Sequence, residues 1–249
     1  MFNKNLSVMI KRLAFLSLFI LLVFSCEEDI AITFKDTIVS PKTTADIDIL
    51  YPKAKENHTV AKQMNNEIEG YIAQQINFKD TTNTLSIKEA ISKFDSQLNQ
   101  FKADFPETPQ EWEISIEGEV LLQTPEIICV GMSSYMYTGG AHGNDRIDFL
   151  NFDTKTGGLM TITDLITNID GFSKLVETHL KKEIETNKND TIEDYFFGQG
   201  FILPESIGFN DIGVIILYNQ YEIASYAQGI TEFVIPYNEA EPFLTIMPL

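Results

Sequence analysis

The stretch from Glu111 to Leu122 constrains the fold more than any other part of the chain. Trp112, Ile114, Ile116, Gly118, Val120 and Leu122 alternate with Glu111, Glu113, Ser115, Glu117 and Glu119. Successive side chains of a strand point to opposite faces, so this period of two predicts a long β-strand with one apolar and one solvated face. Such one-sided strands belong to antiparallel sheets, whose second face is left to water. The glutamates therefore read as a wet face. The apolar face needs other elements to cover it.

Those elements are legible on both sides. Ile47, Ile49 and Tyr51 alternate with Asp46 and Asp48, predicting a strand that Pro52 ends. Val60, Met64, Ile68, Tyr71, Ile72 and Ile76 recur at helical spacing, predicting a helix that His58 opens. Ser86 and Glu89 have the spacing of a capping box, ahead of a stripe through Ile87, Ile91, Phe94, Leu98, Phe101 and Phe105 that Pro106 stops. Further strands are predicted over 127–135, 146–152 and 159–162, with a turn at 153–158. A third helix runs over 172–185, capped by Asp170, and a short helical piece covers 192–197. The last third returns to strands at 201–203, 207–209, 214–218 and 231–235, with a turn at 210–213. The pattern is α+β: a mostly antiparallel sheet with helices packed on one face and two sequence-contiguous halves in one structural unit.

The N-terminus carries an address. Lys4, Lys11 and Arg12 precede an apolar run from Leu13 to Phe24, which ends at Ser25-Cys26. About a dozen apolar residues fall short of the roughly 20 that span a bilayer, so the run reads as the core of a signal peptide over residues 1–25. A leader ending at cysteine predicts lipidation of Cys26, hence a lipoprotein held to a membrane in the cell envelope, with the outer membrane as the expected site. Residues 26–44 read as an acidic, polar tether. Glu27-Glu28-Asp29 resembles the signal that sends Bacteroidota lipoproteins to the cell surface.

Removing Lys4, Lys11 and Arg12 with the leader leaves 15 basic residues against 36 acidic ones, a formal net charge of −21. This argues against nucleic acid as a partner, because phosphate contacts need clustered Lys and Arg. It favours cationic partners. With Cys26 lipidated, Cys129 remains alone in the run Ile127-Ile128-Cys129-Val130. No internal disulfide is then possible, and the thiol is expected to be buried and inert.

Two loops concentrate residues suited to recognition. Tyr137-Thr138-Gly139-Gly140-Ala141-His142-Gly143-Asn144 holds three glycines that permit positive φ and expose amides. Tyr221-Glu222-Ile223-Ala224-Ser225-Tyr226-Ala227-Gln228-Gly229 is dense in aromatic and polar side chains. Tyr137, Gly139, Gly140, His142, Asn144, Tyr221, Glu222 and Tyr226 are the candidate ligand-binding residues. The three histidines, His58, His142 and His179, have no metal-ligand spacing, and neither a zinc-protease helix nor a nucleophile elbow is present, so no metal or cofactor is expected. His142 is read first as the lock of the glycine turn, through a backbone carbonyl. A Ser–His pair with Ser133 or Ser134 is the catalytic alternative.

The same two loops carry a family resemblance. Tyr137 to Gly143, Asn151-Phe152-Asp153, Thr156-Gly157 and Asp164-Leu165, then Tyr221 to Gly229 and Ile235-Pro236-Tyr237, resemble the signature of the DUF4163/DUF3298 family over residues 45–243. Ser225 departs from it, standing where relatives commonly have proline. The resemblance implies a first half over 45–158 and a second over 159–249, an α+β pair sharing a sheet, and a role in envelope recognition. Its members include the outer domain of an anti-sigma factor that senses lysozyme, and a domain accessory to peptidoglycan deacetylases. It implies no catalytic residue, and the Asp/His zinc motif of the deacetylase domains is not in this sequence. Two functions are expected from these observations together. The first is a lipid-anchored binding protein for a wall glycan or for a cationic protein such as lysozyme; the alternative is an envelope glycan or peptide hydrolase using His142.

Overall fold

The structure is a computed structural model that describes residues 32–56, 58–77, 85–188 and 191–246, without the side chains of 187 and 188. The expected leader, Cys26 and the start of the expected tether lie outside the described residues. The rest of the tether does not behave as one. Phe34–Val39 forms β1, antiparallel to β2 (Asp46–Ala54) with Phe34 opposite Ala54 and Val39 opposite Ile49. Pro52 lies inside β2 rather than ending it. The β2–β3 ladder stops at Leu50 opposite Glu117, so the missing N–H of Pro52 falls beyond the last pair on that side.

Two helices follow β2. In α1 (Thr59–Ile76), the ring Nδ1 of the N-cap His58 accepts from the Ala61 N–H, and Met64, Ile68, Ile72 and Ile76 are buried. In α2 (Ile87–Asp104) the expected capping box is present: Glu89 N–H donates to Ser86 Oγ, and the Glu89 carboxylate accepts from the Ser86 N–H at 2.8 Å. A cap of this kind contributes about 1 kcal/mol to its helix. Phe105 ends the helix, as Pro106 predicts.

The long alternating strand is β3 (Glu113–Gln123), with Ile114 and Ile116 buried and Glu113, Ser115, Glu117 and Glu119 exposed. It pairs parallel with β2, Ile47 opposite Ile114 and Ile49 opposite Ile116, because the α1–α2 connection returns the chain in the same direction. On its other side β3 is antiparallel to β4 (Ile127–Tyr137), which is antiparallel to β5 (Asn144–Asp153). The sheet order is therefore β1-β2-β3-β4-β5, antiparallel except at β2–β3.

The second half has its own sheet, β6 (Ile207–Phe209), β7 (Gly213–Tyr218) and β8 (Thr231–Pro236), instead of sharing the first. Every residue of β7 is buried, so this small sheet is covered on both faces. Helix α3 (Ile169–Glu183) packs on it through Phe172, Val176 and Leu180. Its N-cap is Asn168, whose Oδ1 accepts from the Gly171 N–H, and not Asp170. Three other expectations change. Residues 159–162 supply one bridge, Leu159 to Phe152, and then a single helical turn; 201–203 is not a strand; 192–197 is two 3₁₀ turns with Phe196 and Phe197 at positive φ.

Alternation in β4 and β5 divides the interior into two cores. Ile128, Val130, Met132, Leu150 and Phe152 pack with α1 and α2, whereas Ile127, Cys129 and Phe149 pack with α3 and the small sheet. The free edge of β5 is sealed by the second half. Asn219 Oδ1 accepts from the Ile147 N–H at 2.8 Å, and its Nδ2 donates to the Ile147 carbonyl at 2.9 Å. Phe149 N–H donates to Ser206 Oγ, and Asn151 Nδ2 to the Ile207 carbonyl. Gly208 lets β6 come this close, since a Cβ there would lie 2.5 Å from the Phe149 ring.

Two predictions follow from this packing. Asn219→Ala leaves both Ile147 backbone groups without their partner and is expected to cost about 2–4 kcal/mol in denaturant unfolding. The Cys129 thiol is pushed up to about 12 by burial and accepts from the Phe209 N–H, so native protein should resist alkylation at pH 8 and react only when unfolded.

Candidate functional site: an aromatic junction and a polar-rimmed pocket

The two loops meet. Gly139 and Gly140, both at positive φ, turn the chain between β4 and β5, and Tyr137 Oη donates to the Gly140 carbonyl at 3.2 Å. The turn delivers His142, whose ring stacks on Tyr226 with centroids 3.8 Å apart and planes 22° from parallel. Tyr226 lies 5.8 Å from Tyr221, which is exposed and itself at positive φ. Such ring pairs contribute about 0.5–1.5 kcal/mol each beyond their area. Tyr135 adjoins the group, its ring covering Gly143 so closely that a Cβ there would overlap it.

Local chemistry fixes both partners. His142 Nδ1 is 2.8 Å from the Gly143 carbonyl, so the ring locks its own turn, the first of the two roles expected for it. No hydrogen bond joins His142 to Ser133 or Ser134, and Ser134 Oγ instead points to the Arg146 carbonyl at 3.5 Å. Tyr226 opens a 3₁₀ turn, Tyr226–Gln228, capped by Ser225, whose N–H donates to Gln228 Oε1 at 2.9 Å, and Gly229 at positive φ closes it. A proline at position 225 would have no N–H to give, so this capping depends on Ser225.

Glu222 faces away from the junction. Its Oε1 accepts from the Glu205 N–H at 2.7 Å and its Oε2 from the Asn219 N–H at 2.8 Å. Burial raises its carboxyl pKa against the pull of those two bonds. It is a brace for the Asn219 clamp. Asn144 also leaves the junction. It lines a pocket of about 320 Å³ on the helix side of the sheet, together with Ile114, Ile116, Met136, Gln75, Arg146, Ser134 and Tyr135.

A charged network beside this pocket was not singled out in the sequence. Arg146 Nε donates to Asp148 Oδ2 at 2.7 Å, Arg146 Nη2 to Glu205 Oε2 at 2.6 Å, and Tyr71 Oη to Asp148 Oδ2 at 2.7 Å. Burial, then the charge of Asp148, pushes the Tyr71 phenol up. Burial opposes the Arg146 charge, but its bonds to Asp148 and Glu205 prevail and hold its pKa above the ordinary value. The alternation Arg146-Ile147-Asp148-Phe149 was the available signal: it puts two opposite charges on an otherwise apolar face of β5. Among the described residues, no three His, Cys, Asp or Glu side chains gather as metal ligands. His179 bonds Glu239 at 3.1 Å and lies parallel to the Phe233 ring. Tyr71→Phe takes one of two donors from the buried Asp148 carboxylate. A loss of about 1–2 kcal/mol is expected in urea unfolding, smaller when Asp148 is already asparagine.

Comparison with known proteins agrees with this architecture. Residues 38–145 match the family model described as Deacetylase PdaC, and residues 163–238 match Protein of unknown function (DUF3298). A solved DUF3298 family member from Bacteroides fragilis is 20% identical, with a TM-score of 0.62 over 88% of this chain and 95% of that one. A DUF3298 family protein from Pseudomonas aeruginosa PAO1 is 18% identical, with a TM-score of 0.57 over 86% and 93%. No curated protein matches the chain. At these identities the structures attest the fold alone. The two matches thus follow one another along the chain, and each contains one of the two loops, Tyr137 to Gly143 in the first and Tyr221 to Gly229 in the second.

Proposed function

We propose that this chain is a cell-envelope recognition protein that binds a basic protein partner through the surface around the His142–Tyr226 stack. The observation that carries the reading is the composition of that surface. Tyr135, Tyr137, Tyr221 and Tyr226 lie among carboxylates, with Glu113 directly opposite Tyr137 and Asp145 directly opposite Tyr135 in the sheet register. Tyrosines give large, rigid contact area at small entropic cost, and they dominate the energetics of protein interfaces. The neighbouring acids, and a mature net charge of −21, select and attract a cationic partner.

A role at the cell wall is supported by the match of residues 38–145 to Deacetylase PdaC. The leader and Cys26 support attachment by lipid, with the outer membrane as the expected site. Cys26→Ala should then release the protein into the soluble fraction; continued co-sedimentation with membranes would refute lipid attachment. For hydrolysis, His142 lacks the serine partner that the alternative requires, and its ring is occupied by Gly143 and Tyr226.

The test is calorimetric titration of residues 27–249 with a c-type lysozyme as the basic probe, at low and at physiological salt. Affinity is expected to persist at physiological salt, and Tyr226→Ala to weaken it by about 30-fold, as a central aromatic anchor does. Binding confined to low salt would mean charge attraction without a specific surface. Unchanged affinity in both Tyr226→Ala and Tyr221→Ala would remove the junction from the interface.

A further inference from the structure

The pocket on the helix side of the sheet adjoins the tyrosine surface at Tyr135, and the rest of its lining has a chemistry of its own. Ile114, Ile116 and Met136 supply apolar walls. The polar lining includes three groups whose capacity is not spent within the fold. Arg146 commits Nε to Asp148 and Nη2 to Glu205, while its Nη1 makes no hydrogen bond among the described residues. The side-chain amides of Gln75 and Asn144 likewise make none among them.

Each unused group narrows the ligand. Arg146 already faces two carboxylates, so the local charge is −1 and an anion is disfavoured. No carboxylate is among the lining residues, so a bare cation has nothing to coordinate it. A purely apolar ligand would leave Arg146 Nη1 and both amides unpaired on desolvation. What remains is a neutral group with an acceptor for Arg146, a donor and an acceptor for the two amides, and a small apolar end for the isoleucines. A volume of about 320 Å³ is at the lower limit for ligand pockets, which suits one small residue and not a chain of them.

We infer that this pocket binds the acetamido group of an N-acetylated amino sugar. The carbonyl accepts from Arg146 Nη1, the amide N–H donates to the side-chain oxygen of Asn144 or Gln75, and the methyl packs on Ile114 and Ile116. The sugar ring then lies towards Asn144, which is exposed at the rim and keeps the ring hydroxyls in water. This site goes beyond the basic-partner reading; of the residues named for that surface it shares Tyr135 alone.

The probe is N,N′-diacetylchitobiose, titrated into residues 27–249 with detection by methyl chemical shifts. The same disaccharide without acetyl groups and N-acetylalanine amide serve as comparisons. Saturable shifts at the Ile114 and Ile116 methyls are expected, with affinity at least roughly tenfold above that of the deacetylated sugar. That comparison is stringent, since the deacetylated sugar is cationic and the protein is strongly acidic. Asn144→Ala and Gln75→Ala should each weaken binding by about 3- to 10-fold, with folding verified by unchanged thermal unfolding. No saturable binding, equal binding of the deacetylated sugar, or full affinity in both variants would overturn the proposal. N-acetylalanine amide binding as tightly as the sugar would overturn the sugar assignment and make the pocket a peptide-amide site.

Discussion

The fold depends on how the outer edge of β5 is closed. An edge strand presents unpaired N–H and C=O groups, and leaving them buried without partners costs about 1–3 kcal/mol each. Here the small sheet does not extend the large one by ladder pairing. A side-chain amide substitutes for the next strand: Asn219 returns both hydrogen bonds to Ile147, and Ser206 takes the Phe149 N–H. The same device recurs at the other core, where Asn65 of α1 accepts from the Ala54 N–H and donates to its carbonyl, both at 2.8 Å. An asparagine side chain carries the same donor and acceptor pair as a peptide unit, so it ends a strand and fixes a neighbour in one step.

Closure of that edge sets the site. Asn219 stands two residues before the distal loop, and its N–H is held by Glu222 of that loop. The clamp that joins the halves therefore also positions Tyr221 and Tyr226 beside the glycine turn of the β4–β5 hairpin. Glu222 also receives the Glu205 N–H, and Glu205 in turn holds Arg146. Chain segments far apart in sequence are linked through two carboxylates, Glu222 and Glu205, and one guanidinium. This explains why a loop rich in exposed aromatic residues has a defined shape.

Much of this was legible in the sequence, and the failures have physical causes. Alternation revealed β3 because Ile114 and Ile116 are covered on one side only, and the Ser86–Glu89 spacing located the start of α2. β1 was missed because an edge strand buries little: Ile38 is 71% exposed, so hydrophobic period is weak there. The parallel β2–β3 pair was missed because direction is set by the length of the connection, not by the strands themselves. At the site, turn chemistry pointed to the glycine loop and to the aromatic loop. Residue type alone did not tell that Glu222 turns inward or that Asn144 serves a different cavity. Arg146 and Asp148 were legible as charges on an apolar face; their partners, Tyr71 and Glu205, come from distant segments, and only folding brings them together.

The β4–β5 hairpin has a consequence for modularity. The PdaC-type match ends at residue 145, two residues into β5, and the DUF3298 match begins at 163, after that strand is complete. A chain divided at that border would lose most of a strand from one piece. The other piece would keep β5 without its partner β4. Ile127 and Cys129 on β4, and Phe149 on β5, pack into the core of the second half, so either fragment would present their apolar surface to water. Recombination at the border of the two matches would give insoluble products. Gene shuffling could therefore exchange this architecture only whole.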